Sequence, residues 1–449
     1  MTNEEQRTGV FIAQYLKDAI QTRKAKVCVI GIGYVGLPLA VEKAKVGFKV
    51  LGIDQNISRV SMLNLGQNYI QDVQDEELCS LVKGGELTAT KDFSGLPEQD
   101  IIIICVPTPL NAHREPDISY VDNVTKEISK RLRTGQMIIL ESTTYPGTTQ
   151  EIMLPLLESS GLKVGVDFFL AYSPERVDPG NKRYTTKNTT KVVGGVTQLC
   201  LEVAQCFYAQ TITNVVSVSS PAVAEMTKVF ENTYRAVNIA LVNELMMLCH
   251  KMNISVWEVV DAAATKPFGM QTFYPGPGVG GHCIPIDPFY LSWKARQFDY
   301  SSRFIELAGE VNIQVNYYVV NKVVKALNMT GKLVKGSRVF LLGVAYKKDI
   351  NDYRESPALK IIKLLKAEGA ELVFFDPYIK SMQDWDGSKI EADWVELSEE
   401  ELTKSDCVLI ITDHSNIDYE KMVDQASIIV DTRNATKNVK SGRSKIILI

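Results

Sequence analysis

The sequence has few features of a membrane, secreted or nucleic-acid-binding chain. It contains no uninterrupted apolar run of about 18 residues or more, so no transmembrane helix is predicted. Met1 to Lys26 lacks the basic start and apolar stretch of a signal peptide, and a cytoplasmic location is the expectation. There is no block of Lys or Arg, and the net charge of -4 leaves no electrostatic footprint for nucleic acid. Local patches for an anionic ligand remain compatible with that balance. None of the eight cysteines forms a CxxC, and no Cys/His cluster has zinc-like spacing, so no metal is expected. Cys28, Cys105 and Cys407 sit in apolar runs and read as small buried hydrophobes. Cys283 does not.

What is present describes an ordinary globular protein, 45% hydrophobic and 23% charged. At 449 residues it is too long for one core, which implies two or three domains. After a short leading helix, Val27 to Ile30 and Lys49 to Ile53 read as strands flanking a helix over Leu37 to Val46. Ile101 to Val106, Met137 to Leu140 and Phe168 to Ala171 continue the pattern, which predicts βαβ units and a parallel sheet. Ala222 to Met252 and Phe304 to Leu327 have the apolar spacing of long helices, separated by a Gly/Pro-rich loop from Phe273 to Pro288. Beyond Asn328 to Gly336, the segments Arg338 to Leu342, Pro357 to Ala367 and Glu371 to Phe375 repeat the opening theme. Cys407 to Ile411 and Ile428 to Val430 add strands to it. The predicted architecture is α/β, with two Rossmann-like doubly wound domains joined by helices.

Gly31-Ile32-Gly33-Tyr34-Val35-Gly36 follows a predicted strand and opens a predicted helix. The first glycine permits a tight turn and the second lets a pyrophosphate approach the backbone. The third lets helix pack on strand, with bare N–H groups facing the phosphates. Asp54 ends the next strand, where a carboxylate bonds ribose hydroxyls and repels a 2′-phosphate, favouring NAD over NADP. Arg59 reads equally as an adenosine contact or a solvated helix charge. By topology the loops Val106-Pro107-Thr108 and Ser142-Thr143-Thr144 face the same cofactor.

Cys283 closes the glycine loop just before Asp287-Pro288, which reads as the start of a helix. A helix N-terminus stabilises a thiolate. Gly276, Gly278, Gly280 and Gly281 leave backbone N–H groups for a ligand, the alternative being a structural loop with an incidental cysteine. A thiol beside NAD has a chemical use. Hydride loss takes an alcohol to an aldehyde, and only after a nucleophile adds can a second hydride leave to give a thioester and then an acid. Lys228 and Asn232 share a helix face that could serve an alkoxide or oxyanion, but from the residues alone they read first as solvated polar groups of a helix. Thr144 and Glu175 are similarly ambiguous from the residues alone.

Taken in order, Gly31-Ile-Gly-Tyr-Val-Gly-Leu-Pro38, Val106-Pro-Thr-Pro109, Glu141-Ser-Thr-Thr-Tyr-Pro-Gly147 and Ser173-Pro-Glu-Arg176 resemble the UDP-glucose/GDP-mannose dehydrogenase family. So do Lys228-Val-Phe-Glu-Asn232, Gly278-Val-Gly-Gly-His-Cys283 with Asp287, and Arg354-Glu-Ser-Pro357. The resemblance implies an N-terminal helical extension (1–23), an NAD-binding Rossmann-like domain (24–216), a central helical dimerisation domain with the cysteine loop (217–330), and a C-terminal UDP-sugar-binding Rossmann-like domain (331–449). It implies two NAD per turnover, no metal, and a homodimer or higher homo-oligomer. Cys283 becomes the nucleophile, Lys228 and Asn232 stabilise alkoxide and oxyanion, Asp287 and Thr144 position water, and Glu175 assists thioester hydrolysis. Gly31, Gly33, Tyr34, Val35, Gly36, Asp54, Arg59, Pro107, Thr108, Thr143 and Arg354 are assigned to NAD. Arg176, Phe273, Tyr274, Gly278, Gly280, Gly281, Lys347 and Arg433 are assigned to the UDP-sugar.

The chain departs from UDP-glucose members at Pro179, where they carry a second glutamate. It is most similar to the UDP-N-acetylhexosamine branch, closest to its UDP-N-acetylglucosamine 6-dehydrogenases of surface-polysaccharide synthesis. The mannosamine and galactosamine epimers stay open. So do a two-electron 3-hydroxyacid-type dehydrogenase, which has no use for Cys283, and a UDP-sugar-binding regulator without activity.

Overall fold

The computed structural model describes residues 2–70, 72–111, 114–178, 181, 183–281, 284–384 and 387–449. The chain divides into two compact units, Met1–Glu231 with Phe289–Tyr300, and Asn232–Pro288 with Ser301–Ile449. The observed division falls inside the long helix Pro221–Lys251, after Glu231.

The first unit holds eight strands: β1 (Lys26–Ile30), β2 (Lys49–Ile53), β3 (Leu87–Thr90), β4 (Ile101–Ile104), β5 (Met137–Leu140), β6 (Phe169–Tyr172), β7 (Lys191–Gly195) and β8 (Val215–Val218). Their spatial order is β3-β2-β1-β4-β5-β6-β7-β8. All neighbours are parallel except β6 and β7. The first six strands thus have the doubly wound order, with its switch point between β1 and β4.

Continuous apolar strands fit a sheet covered on both faces. In β4, Ile101 and Ile103 join one buried cluster while Ile102 and Ile104 join another. The same alternation divides Val27 and Val29 from Cys28 and Ile30 in β1. The leading helix Asn3–Gln21 carries a capping box between Thr2 and Glu5 and buries Ala13, Leu16 and Ile20 in the first of these clusters.

The second unit holds β9 (Arg338–Leu342), β10 (Glu371–Phe375), β11 (Asp393–Trp394), β12 (Cys407–Ile410), β13 (Ile429–Asp431) and β14 (Ile446–Leu448). These are parallel, in the order β11-β10-β9-β12-β13-β14. The strand order of the first unit is therefore repeated. Helices Asp287–Arg296 and Arg303–Met329 follow the glycine loop. Among the described residues, no helix is long and apolar enough to cross a membrane.

Candidate active site

The three glycines of the first turn have three different reasons to be glycine. Gly31 adopts φ 91°, and a Cβ there would collide with the Cys105 carbonyl at the end of β4. A Cβ on Gly36 would strike the Gly31 carbonyl, because helix Gly36–Lys45 seats directly on the turn. At Gly33 a Cβ would meet only Arg59 Nη1, at 3.6 Å. The described residues leave that space clear, as close approach of a pyrophosphate to the backbone requires. The helix begins with no side-chain cap, although Leu37 N donates to the Gly33 carbonyl at 3.0 Å and Pro38 has no N–H, so a phosphate would be met by the turn ahead of Leu37.

Asp54 stands beside this turn with its side chain 10% exposed. Its Oδ2 accepts from Ile32 N at 3.1 Å and its Oδ1 from Asn56 N at 2.8 Å. Arg59 Nη1 lies 3.6 Å from Asp54 Oδ2, so the two residues assigned to the adenosine side come together. Tyr69, which the sequence reading passed over, braces the turn by donating to the Ile32 carbonyl at 2.8 Å. Tyr34 is exposed, and Val35 is half-buried before the helix. These groups fit a dinucleotide.

The loops after β4 and β5 lie at the same strand ends. Pro107 is exposed, whereas Thr108 is buried and its carbonyl accepts from the buried Tyr290 hydroxyl. Thr143 is half-buried, and Thr144 is fully buried with no partner for its hydroxyl among the described residues. An orphaned buried hydroxyl is costly and marks a place for a ligand or water. Glu225 anchors helix Pro221–Lys251 to this loop, accepting from Gly147 N at 2.5 Å, Thr149 N at 2.9 Å and Thr149 Oγ1 at 2.7 Å. Burial raises its carboxyl above the ordinary glutamate range despite those donors. One turn further on stands Lys228, 7% exposed, with no ion pair or hydrogen bond among the described residues.

Glu175 Oε1 accepts from Arg176 N at 2.7 Å and Val177 N at 2.6 Å, fixing the carboxylate after β6. The Arg176 guanidinium, assigned to the UDP-sugar, instead pairs with Glu231 at 2.5 Å and donates to the Thr190 carbonyl at 2.7 Å. Pro179 lies outside the described residues.

In the second unit, Asn232 Nδ2 donates to Asp287 Oδ2 at 2.5 Å, both side chains buried. This bond ties the start of helix Asp287–Arg296 to the helix that carries Lys228. Cys283 lies outside the described residues, four positions before Asp287. The glycines preceding it pack against the unit's own core. A Cβ on Gly276 would meet Arg433 Nη1 at 2.5 Å, one on Gly278 would meet Asn316 Nδ2 at 2.5 Å, and those on Gly280 and Gly281 would meet Tyr346 at 2.7 and 2.9 Å. Gly276 N donates to Asn243 at 3.0 Å and Gly281 N to the Arg354 carbonyl at 3.1 Å. Those two N–H groups, expected to be bare, are already paired.

Arg354 pairs with Asp352 at 2.7 Å, Arg433 Nε donates to the Ile411 carbonyl at 3.1 Å, and Lys347 is half-buried. Phe273 packs edge-on to Tyr234, and Tyr274 stacks on Trp257 while donating to Asp261 at 2.7 Å.

Residues 25–212, 222–314 and 340–438 match the NAD binding, central and UDP binding domains of the UDP-glucose/GDP-mannose dehydrogenase family. The chain belongs to this family. It is an NAD-dependent nucleotide-sugar dehydrogenase. It is 38% identical over 358 residues to a UDP-N-acetyl-D-glucosamine 6-dehydrogenase from Pseudomonas aeruginosa, covering 79% of this chain and 83% of the relative. It is also 38% identical over 368 residues to a UDP-N-acetyl-D-mannosamine dehydrogenase from Campylobacter jejuni, covering 80% and 88%. Among solved structures, a UDP-D-ManNAc dehydrogenase from Pyrococcus horikoshii superposes with TM-score 0.84 at 31% identity, over 94% of this chain and 98% of that one.

Proposed function

We propose that the chain oxidises the C6 hydroxyl of a UDP-N-acetylhexosamine, UDP-N-acetylglucosamine foremost, to the carboxylate in a four-electron reaction of surface-polysaccharide precursor synthesis. The observation that carries this reading is the buried, unpaired Lys228 one turn from Asn232, whose amide holds Asp287. Two-electron oxidation of a free hydroxy acid gives no role to the thiol four residues before Asp287.

NAD, when bound, would supply the hydride acceptor for both oxidations. Gly33 gives room for its pyrophosphate, and Asp54 has the position to bond its ribose hydroxyls. Lys228 stabilises the C6 alkoxide as the alcohol loses its proton. The Cys283 thiolate then adds to the C6 aldehyde, forming a C–S bond and a thiohemiacetal oxyanion that the Lys228 ammonium and Asn232 amide stabilise. Loss of the second hydride leaves a thioester on Cys283. Water positioned by Thr144 and Asp287 attacks the thioester carbonyl while Glu175 takes its proton. The C–S bond breaks, the sulfur leaves as the restored thiolate, and the new carboxylic acid gives its remaining proton to solvent as the carboxylate departs.

Relatives named for the glucosamine and the mannosamine substrate reach the same identity, so N-acetylhexosamine is the better supported level. Assays with UDP-N-acetylglucosamine, its mannosamine and galactosamine epimers, and UDP-glucose test the donor. The expected result is the highest kcat/KM for UDP-N-acetylglucosamine with an acid product. A tenfold or greater preference for another donor would replace that assignment. We also propose that Leu241 and Leu248, exposed on helix Pro221–Lys251, and the exposed Met252 that follows it, face a second copy of the chain. Sedimentation should then show a dimer or higher homo-oligomer.

A further inference from the structure

Behind Glu175 lies a cluster of ionisable groups that no step above uses. Lys191 opens β7 and is 5% exposed; its Nζ stands 2.6 Å from Glu141 Oε2 and 3.7 Å from Glu175 Oε2. Glu141, fully buried after β5, accepts on its other oxygen from the Tyr208 hydroxyl of helix Gln198–Tyr208. A fold seeking only stability would fill this space with hydrocarbon, because buried charges are expensive even when paired.

We propose that Lys191, clamped by Glu141 and Tyr208, is a positioning residue that sets its positive charge against the Glu175 carboxylate and keeps it aimed as the base of thioester hydrolysis. This rests on the four-electron reading above. Two backbone N–H groups pin Glu175 Oε1, leaving Oε2 to face the ammonium. At 3.7 Å the pair is too long for a hydrogen bond but within strong Coulomb reach. The two carboxylates therefore share one cation, and Glu141 takes its hydrogen bond.

The other groups that act on this cluster cannot replace Lys191. The Cys105 thiol at the end of β4 is pushed up by burial and then by Glu141. The Tyr208 phenol is raised well above its usual value, by burial first and then by Glu141. Arg176, the nearest cation in sequence, is turned to Glu231. Lys43 is committed to Thr211 and the Phe207 carbonyl, and burial holds its pKa well below the usual lysine value. Burial also works to strip the proton from Lys191, but Glu141 and Glu175 outweigh it and leave its pKa raised.

The test is kcat for NADH formation against pH in the full-length enzyme. Lys191→Met should move the acidic limb up by about one pH unit, since Glu175 loses its cation, while the alkaline plateau changes little. Glu141→Gln removes a like charge and should move the same limb down. Lys191→Arg should keep it in place. An equal loss of kcat at every pH in the first two variants would overturn the proposal by reducing the cluster to scaffolding. If Lys191→Met does not fold, the isosteric Glu141→Gln carries the test alone, a downward limb supporting the proposal and an unmoved one overturning it. Glu175→Gln separates the two levels. Undiminished acid production by that variant would sink Glu175 as base, whereas its collapse with unmoved limbs in the other variants would overturn the role of Lys191 only.

Discussion

The two sheets share a turn but use it differently. Gly31 and Gly343 both have positive φ, at 91° and 79°, and both donate to the last carbonyl of the second strand of their sheet. Each is followed across that strand by an aspartate, Asp54 or Asp376, that accepts from the turn's backbone. There the likeness ends. Asp376 is fully buried, with Oδ2 taking Val344 N, Ala345 N and His414 Nε2 and Oδ1 taking Tyr378 N and Ile379 N. Because His414 Nδ1 accepts from Asp349 N, the ring proton sits on Nε2 and points at the carboxylate. Asp54 keeps a partly exposed carboxylate and a helix starting directly at Gly36, whereas the helix after Gly343 starts only at Pro357. One strand order thus supplies a partly exposed carboxylate in the first unit and a fully buried, fully hydrogen-bonded one in the second.

Substitutions at matched positions sharpen this contrast. The largest effect is expected for Gly36→Ala, whose Cβ meets backbone that cannot yield. A loss of about 4 kcal/mol or failure to fold should appear in thermal unfolding. Asp376→Asn should cost about 3 kcal/mol in denaturant unfolding, from lost charge-assisted bonds, with NAD affinity unchanged. Asp54→Asn should do the reverse, weakening NAD binding by about 2 kcal/mol in calorimetry at little cost in stability. Smallest is Gly33→Ala, expected to fold normally and lose about tenfold in NAD affinity, roughly 1.4 kcal/mol. Equal stability losses for Asp54→Asn and Asp376→Asn would erase the distinction.

The acid limb of stability gives an independent comparison. Burial alone would raise the Asp376 carboxyl, but donation from His414, Val344 and Tyr378 outweighs it and holds the group below the usual aspartate value. A depressed carboxyl contributes stability in full above its unfolded pKa of about 4 and loses it as pH falls through the folded value. Unfolding free energy should therefore fall less steeply in acid for Asp376→Asn than for the parent chain.

Much of this was legible in the sequence because the signals were dense. Four consecutive isoleucines in β4, the glycine fingerprint and the long helical periodicities each survive as the predicted element. The short strands did not announce themselves. Leu87–Thr90 alternates over too few residues, Lys191–Gly195 ends in two glycines, and Asp393–Trp394 is only a pair. Of the residues read as the candidate site, Asp54 lies beside Arg59 and Asn232 bonds Asp287. Lys191, Glu141 and Tyr208 carry no pattern that separates a buried ion cluster from surface polar residues. Tyr290 reaches the Thr108 carbonyl through a contact that only tertiary packing creates. The engagement of Arg176 with Glu231 is equally a tertiary fact.

Counting NADH released per UDP-N-acetylglucosamine consumed tests the proposed thiol chemistry most directly. Two are expected from the parent enzyme, with Cys283→Ser retaining NAD binding but losing acid production. One NADH per sugar, or a carboxylate product formed at the parent rate without that thiol, would contradict it.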